Sequence, residues 1–352
     1  MLKSIASKFK AKFEDYMITI IEIVASAAIG LLVGAIILHA FGYDIAKCYS
    51  IVFTKGIRDL NYLLCRASPI MMTGLAFTIP MIAGVFNIGG EGQLYIGALT
   101  SILIAHYTHN LVLAFIASAV MGAAIGALIA FLRVYRGVNE VITAIMLNWT
   151  FYYIVLYLIT NVYYDPAIPH QSVPVPEDAR IGFITMPWGS IRATFFIAVV
   201  FSLIAYYILK YTKVGYLLRV SGLSPKSAKY AGFNPDKAII YSMMLGGAYA
   251  GIGGALLTLG LVPYIDSTMS IVFGQGFTGI GVALLGRNNP IGIIFSSIFF
   301  SILIIGGQMM ELLTGAPPEL ADVLTGVIVI SLALPYAYRM MISYIKTRRM
   351  IT

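Results

Sequence analysis

Asn87, Glu91 and Gln93 stand among Gly89, Gly90, Gly92 and Gly97 in the stretch FNIGGEGQLYIGAL, residues 86–99. A carboxylate and two amides can exchange hydrogen bonds with a polar solute, and a carboxylate can also cap a helix against its positive dipole end. Glycines without Cβ let the backbone leave helical geometry. The residues leave two readings of Glu91 open: it caps the helix that follows, from the cytoplasmic interface, or it faces a polar cavity with Asn87 and Gln93. Farther along, Asn148 and Trp149 add an amide and a ring face, and Phe86 adds another ring. Ring faces can stack on a planar solute, and amides can bond its edges or its hydroxyls.

Covalent and metal chemistry have no carrier in the sequence. The patterns GxxxxGK[ST], HExxH and GxSxG are all missing, and SPKS at 224–227 lacks both glycines of a phosphate loop. Cys48 and Cys65 show no CxxC spacing and read as free thiols or packing residues. No cofactor is expected on this chain, and enzymatic activity is excluded on the same grounds.

The elements that carry these residues must be membrane spans. Hydrophobic residues make up 59% of the 352, charged ones 11%, and the mean hydropathy is +0.89. Runs such as 17–40 and 191–209 match the roughly 20 residues needed to cross about 30 Å of hydrocarbon. Ten apolar segments are marked, at 17–40, 67–85, 93–109, 111–132, 141–162, 191–209, 238–262, 271–286, 291–313 and 321–338. The basic N-terminal stretch precedes a run about twice as long as a secretory signal core and without a cleavage site, so it reads as an uncleaved first span. With both termini cytoplasmic, 17 of the 23 Lys and Arg residues fall on the inner side, which the positive-inside rule favours over the mirror image. The net charge of +8 then reports orientation, with no case for nucleic acid. The fold class expected is an all-α polytopic membrane protein of about 10 transmembrane helices.

The chain also repeats. MMTGLAF at 71–77 returns as MMLGGAY at 243–249, the spacing of Gly90, Gly92 and Gly97 returns at Gly274, Gly276 and Gly281, and EVIT at 140–143 returns as DVLT at 322–325. In the predicted topology spans 2–5 and 7–10 are inverted copies, with halves at about 61–165 and 237–340. Inverted repeats place a solute path near the midplane, where helices are short or broken. The third and eighth segments are the shortest, and each carries the repeated glycine spacing. Irregular backbone at that depth must be satisfied by protein or by a wet cavity. The substrate-path candidates are therefore Phe86, Asn87, Glu91, Gln93, Asn148 and Trp149, with Gln275 and Gln308 in the second copy.

Residues 211–238 form a cytoplasmic segment between the halves, and 163–190 an external loop. Ser224 as N-cap, Pro225 at the first helical position and Gly232 just past the end outline a two-turn helix across the cytoplasmic face. It is a plain connector, or the place where a motor subunit pushes. Its face toward such a motor is expected to include Ala228, Lys229 or Tyr230.

The stretches FNIGGEGQLYIGA, GVNEVITAIMLNW, LRVSGLSPKSAKYAGFN and GQGFTGIGVALLGRNNPIG resemble the permease subunits of ABC importers in the branched-chain amino acid, simple-sugar and nucleoside group, most closely its nucleoside (purine/pyrimidine) branch. The resemblance covers roughly Ile70 to Leu334. It implies a type II-importer-like permease domain over 1–352 in the bacterial cell membrane, with ATP and Mg on a separate cytoplasmic ATP-binding subunit. An extracellular solute-binding lipoprotein would deliver a nucleoside, and a second permease chain would complete the pore, a heterodimer being favoured. Residues 213–238 would contain the coupling helix. An ion-coupled secondary transporter would also use inverted repeats, but needs a coupling carboxylate, and Glu22, Glu140 and Glu311 all fall near helix ends. A passive channel leaves the basic cytoplasmic helix without a role.

Overall fold

The computed structural model describes residues 25–26, 28–186, 189–270, 272–317, 319–327 and 330–331. They are mostly helical: α1 (Ala28–Ala40), α2 (Ile45–Gly56), α3 (Leu60–Ile82), α4 (Gly90–Thr108), α5 (Leu111–Arg136), α6 (Glu140–Asn161), α7 (Thr194–Tyr211), α8 (Lys213–Leu223), α9 (Pro225–Tyr230), α10 (Pro235–Gly260), α11 (Gln275–Leu285) and α12 (Pro290–Thr314). Residues 319–327 are helical as well. Six of these helices, α3, α5, α6, α7, α10 and α12, are long and apolar enough to cross a membrane. The first and tenth apolar segments of the sequence, 17–40 and 321–338, lie partly outside the described residues, as do both chain ends.

The chain divides into two compact units, one holding the residues up to Gly56 and from Ile302 onward, the other Ile57–Ser301. In the first, Tyr49 on α2 donates its hydroxyl to Leu31 O on α1 at 2.5 Å. Helix α2 is missing from the apolar segments read in the sequence. Its buried positions, Cys48, Val52 and Gly56, recur every four residues, and Lys47, Ser50, Thr54 and Lys55 interrupt the helix before an apolar run can reach the length of a span.

In the second unit α3 and α10 are the core. The apolar window of α3 is 89% buried and that of α10 67%, against 28% for α6 and α7, whose flanks therefore face outward. Helix α10 packs against α3, α4 and α5, while α11 packs against α3. Small residues make the α10 contacts: a Cβ on Gly247 or Gly251 would strike the backbone of Gly122 or Ser118 on α5, and one on Gly254 would lie 2.4 Å from Ala98 N on α4. Such backbone approach is how helices associate where no hydrophobic drive separates them from lipid.

Capping residues set where the helices begin. Asn110 accepts from Leu113 N and Asn139 from Val141 N and Ile142 N, while Gly137 at φ +66 closes α5 beyond its terminal Arg133 and Arg136. Arg133 pairs with Glu140 across that turn.

Two ends of this unit can be told apart. At one, the hairpins β1–β2 (Tyr164–Asp165 and Ile168–Ser172) and β3–β4 (Phe183–Met186 and Gly189–Arg192) lie over the end of α10. Ile181 N donates to Leu259 O at 2.8 Å, and Ser172 exchanges bonds with Ile265 at 2.9 and 3.0 Å. His109, closing α4, contacts Asp178 at 2.8 Å, and Arg192 N donates to Asn61 Oδ1 at the start of α3. At the other end Gly222 of α8 meets the Ile82 and Ala83 backbone at the finish of α3.

Candidate functional site

The backbone breaks after α3. Gly84 takes φ +77 and the chain turns back along the helix it has just left. Asn87 Nδ2 donates to Ala76 O at 3.1 Å, six residues before the end of α3, or about 9 Å along the axis at 1.5 Å per residue. Non-helical backbone at that depth leaves polar groups to satisfy. Asn87 Oδ1 accepts from Gly89 N at 3.1 Å, and Asn87 Nδ2 also donates to Gln93 Oε1 at 3.2 Å. Asn148 on α6 accepts from Gly92 N at 2.9 Å and donates to Ile88 O at 3.0 Å. All three amides are buried. The sequence reading placed Asn87 and Gln93 on a polar cavity; here their hydrogen-bonding groups are turned onto the irregular chain and each other.

Glu91 is buried, lines the cleft described below, and does not cap the helix that follows it. Its carboxylate caps a helix from the other half of the chain. Oε1 accepts from Gly274 N at 2.5 Å, while Oε2 accepts from Gly276 N at 2.5 Å and Phe277 N at 3.2 Å. Tyr95 donates its hydroxyl to Oε1 at 2.6 Å. The free N–H groups and positive dipole of the first turn of α11 account for the choice. Nothing local in the sequence marks this partner, 183 residues away. A Cβ on Gly276 would lie 2.5 Å from Glu91 Cα, so the two glycine motifs meet face to face.

Around this junction lies a cleft of about 270 Å³, mouth included, walled by aromatic rings. Trp149 and Phe273 stand 6.4 Å apart between centroids, and Tyr152 meets them edge-on at 5.7 and 6.0 Å. Glu91, Tyr95, Asn148 and Phe277 complete the lining with Ile145. Trp149 is 50% and Phe273 49% exposed. The hydroxyls of Tyr152 and Tyr153 make no hydrogen bond among the described residues. Sequence reasoning missed Tyr95, Tyr152, Phe273 and Phe277. The available signal was FGQGF, where rings flank the repeated glycines.

The remaining candidates scatter. Phe86 packs edge-on against Phe77 at 4.8 Å. Gln275 is buried, and its carbonyl accepts from Thr73 Oγ1 at 3.0 Å. Gln308 is exposed on α12, in the other compact unit. In the segment 211–238 Ser224 Oγ accepts from Ser227 N at 3.3 Å, Pro225 opens α9 and Gly232 takes φ +83, as the sequence predicts. Ala228 departs from expectation: it is wholly buried, so it seats the helix and cannot form its outer face. Tyr230 is 95% exposed and Leu223 87%, with Lys229 exposed beside them.

A family model described as the permease component of the branched-chain amino acid transport system matches residues 60–333. The chain belongs to that family. Among its relatives, the guanosine ABC transporter permease protein NupP of Bacillus subtilis is 30% identical over 331 residues, covering 91% of this chain and 94% of the relative. The nucleoside ABC transporter permease protein NupB of Lactococcus lactis is 32% identical over 89% of this chain and 90% of its own; the same organism's NupC, another nucleoside permease, is 28% identical over 70% and 82%. The glucose ABC transporter permease protein TsgB13 of Haloferax volcanii is 29% identical over 86% and 84%. No solved structure matches. This is a multi-pass membrane protein and a transport subunit rather than an enzyme, ATPase activity in such systems lying on separate subunits.

Proposed function

We propose that this chain is the membrane-spanning subunit of an ATP-driven nucleoside importer. The observation that carries the reading is the aromatic cleft of Trp149, Tyr152 and Phe273, which suits a planar base. Relatives named for guanosine and nucleosides support it. Exposed tyrosine hydroxyls on α6 favour a wet path along this face over lipid, because a hydroxyl at membrane depth needs a partner. Nucleosides would come from an extracellular binding lipoprotein. A cytoplasmic subunit carrying ATP and Mg would dock on α9 through Leu223, Lys229 and Tyr230. A second permease, as the NupB and NupC pair suggests, would complete the pore.

The arrangement of ten spans as inverted copies, with both termini cytoplasmic, belongs to the same proposal. In its support α3 and α10 run in opposite directions between the two ends of the unit, and each packs on the broken-segment helix of the other half, α3 on α11 and α10 on α4. Competition identifies the solute: in cells expressing the full transporter, unlabelled cytidine and adenosine should displace labelled guanosine uptake while glucose does not. Displacement by glucose alone would favour a sugar permease, the function named for TsgB13.

A further inference from the structure

We propose that Trp149, Tyr152 and Phe273 form a stacking subsite for the planar base of the transported solute, and that Glu91 sets its width by holding the first turn of α11. The proposal rests on the nucleoside reading and names the contact that reading leaves open.

Recognition at this cleft must use ring faces. The amides that would read base edges, on Asn87, Gln93 and Asn148, are already bonded to the chain. Trp149 and Phe273 instead keep about half their surface uncovered. Every base has a face, so stacking accepts purines and pyrimidines alike.

Trp149 and Phe273 are the two walls between which a planar ring would be sandwiched. Two outer planes need about 6.8 Å between them, twice the roughly 3.4 Å spacing of stacked bases. Trp149 and Phe273 stand at 6.4 Å with their planes 47° apart. That is a tilted ring contact and not an open slot, so a base enters only if Phe273 swings outward and turns parallel to Trp149. Phe273 precedes Gly274, whose N–H is held by Glu91 Oε1, and Phe277 is held through its own N–H by Oε2. The carboxylate thus grips both ends of this wall. Gly276 lies directly on Glu91, with no space for a side chain, so the wall cannot approach further. Glu91 acts through Phe273 and is a positioning residue.

The test is uptake kinetics of labelled guanosine and cytidine by the complete transporter in proteoliposomes. Trp149→Leu should raise KM about tenfold for both nucleosides with the maximal rate within twofold, and Trp149→Phe should return KM to within threefold of the parent. Glu91→Ala should raise KM in the same way, with Glu91→Gln, which keeps one acceptor, intermediate. If Trp149→Leu fails to assemble, Phe273→Leu carries the same expectation. Nucleoside uptake by the parent with an unchanged KM in assembled Trp149→Leu or Phe273→Leu protein would overturn the subsite alone. A loss of maximal rate at constant KM in Glu91→Ala would overturn the positioning role. Uptake of glucose and of neither nucleoside by the parent would overturn the nucleoside reading and the subsite with it.

Discussion

At the residue scale, the polar groups of the glycine-rich stretch hold a broken backbone together. Asn87 and Gln93 satisfy each other and the turn behind α3, and leaving a buried donor or acceptor unpaired costs about 1–3 kcal/mol. The Asn87→Leu/Gln93→Leu double variant should therefore lose thermal stability in detergent, with less folded protein recovered from membranes. An unchanged unfolding midpoint would show that the network is not structural. These residues were legible in the sequence as unusual, since polar groups among glycines at membrane depth demand an explanation. Their partners were not: Ala76 O, Ile88 O and the first turn of α11 are backbone atoms, which no residue pattern announces. The cleft rings were equally hidden, because aromatic residues in a chain with 12% of them carry no signal until two helices and a loop bring them together.

At the element scale, sequence and structure agree where a helix is apolar along its length or well capped. The fourth segment was read at 111–132 and α5 runs Leu111–Arg136; the fifth at 141–162 and α6 runs Glu140–Asn161. Asn110 and Asn139 fix those starts. The second segment was begun at 67, whereas α3 begins at Leu60, because Asn61 and Arg66 interrupt the apolar run; Asn61 accepts from Arg192 N of β4 and Arg66 is buried within α3. The eighth was read from 271, since 272–274 is irregular and the helix starts only at Gln275, where Glu91 receives it. Close approach of α10 to α5 yields a sharp expectation. Gly251→Val should prevent the two helices from meeting and abolish a monodisperse peak in size-exclusion chromatography while membrane insertion persists, whereas a substitution on the exposed face of α5 such as Val112→Ala should leave the peak intact. The short helix α9 separates seating from docking. Ala228→Asp should destabilise the segment around α9, because it buries a charge, whereas Tyr230→Asp should leave thermal stability within about 0.5 kcal/mol, as for an exposed site, and lose co-purification of the ATPase. Equal stability of the two variants would contradict the orientation of α9.

At the scale of the whole molecule, a multi-pass membrane chain is joined to an external energy source. Composition made the membrane class legible from the sequence, and the repeated glycine motif pointed to the two segments that meet at Glu91 and Gly276. The pairing across halves needed coordinates, because residues nearly two hundred apart share no local pattern. An ATP-driven permease and an ion-coupled carrier differ in what must cross or be hydrolysed for each solute moved, and that difference is open to one experiment. The chain is reconstituted in proteoliposomes with its ATPase, second permease and binding lipoprotein, and uptake of labelled guanosine is followed with ATP on the ATPase side or with an imposed proton or sodium gradient. The account predicts uptake that requires hydrolysable ATP, persists when both gradients are collapsed and disappears with a hydrolysis-deficient ATPase. Uptake driven by either gradient without ATP would contradict it.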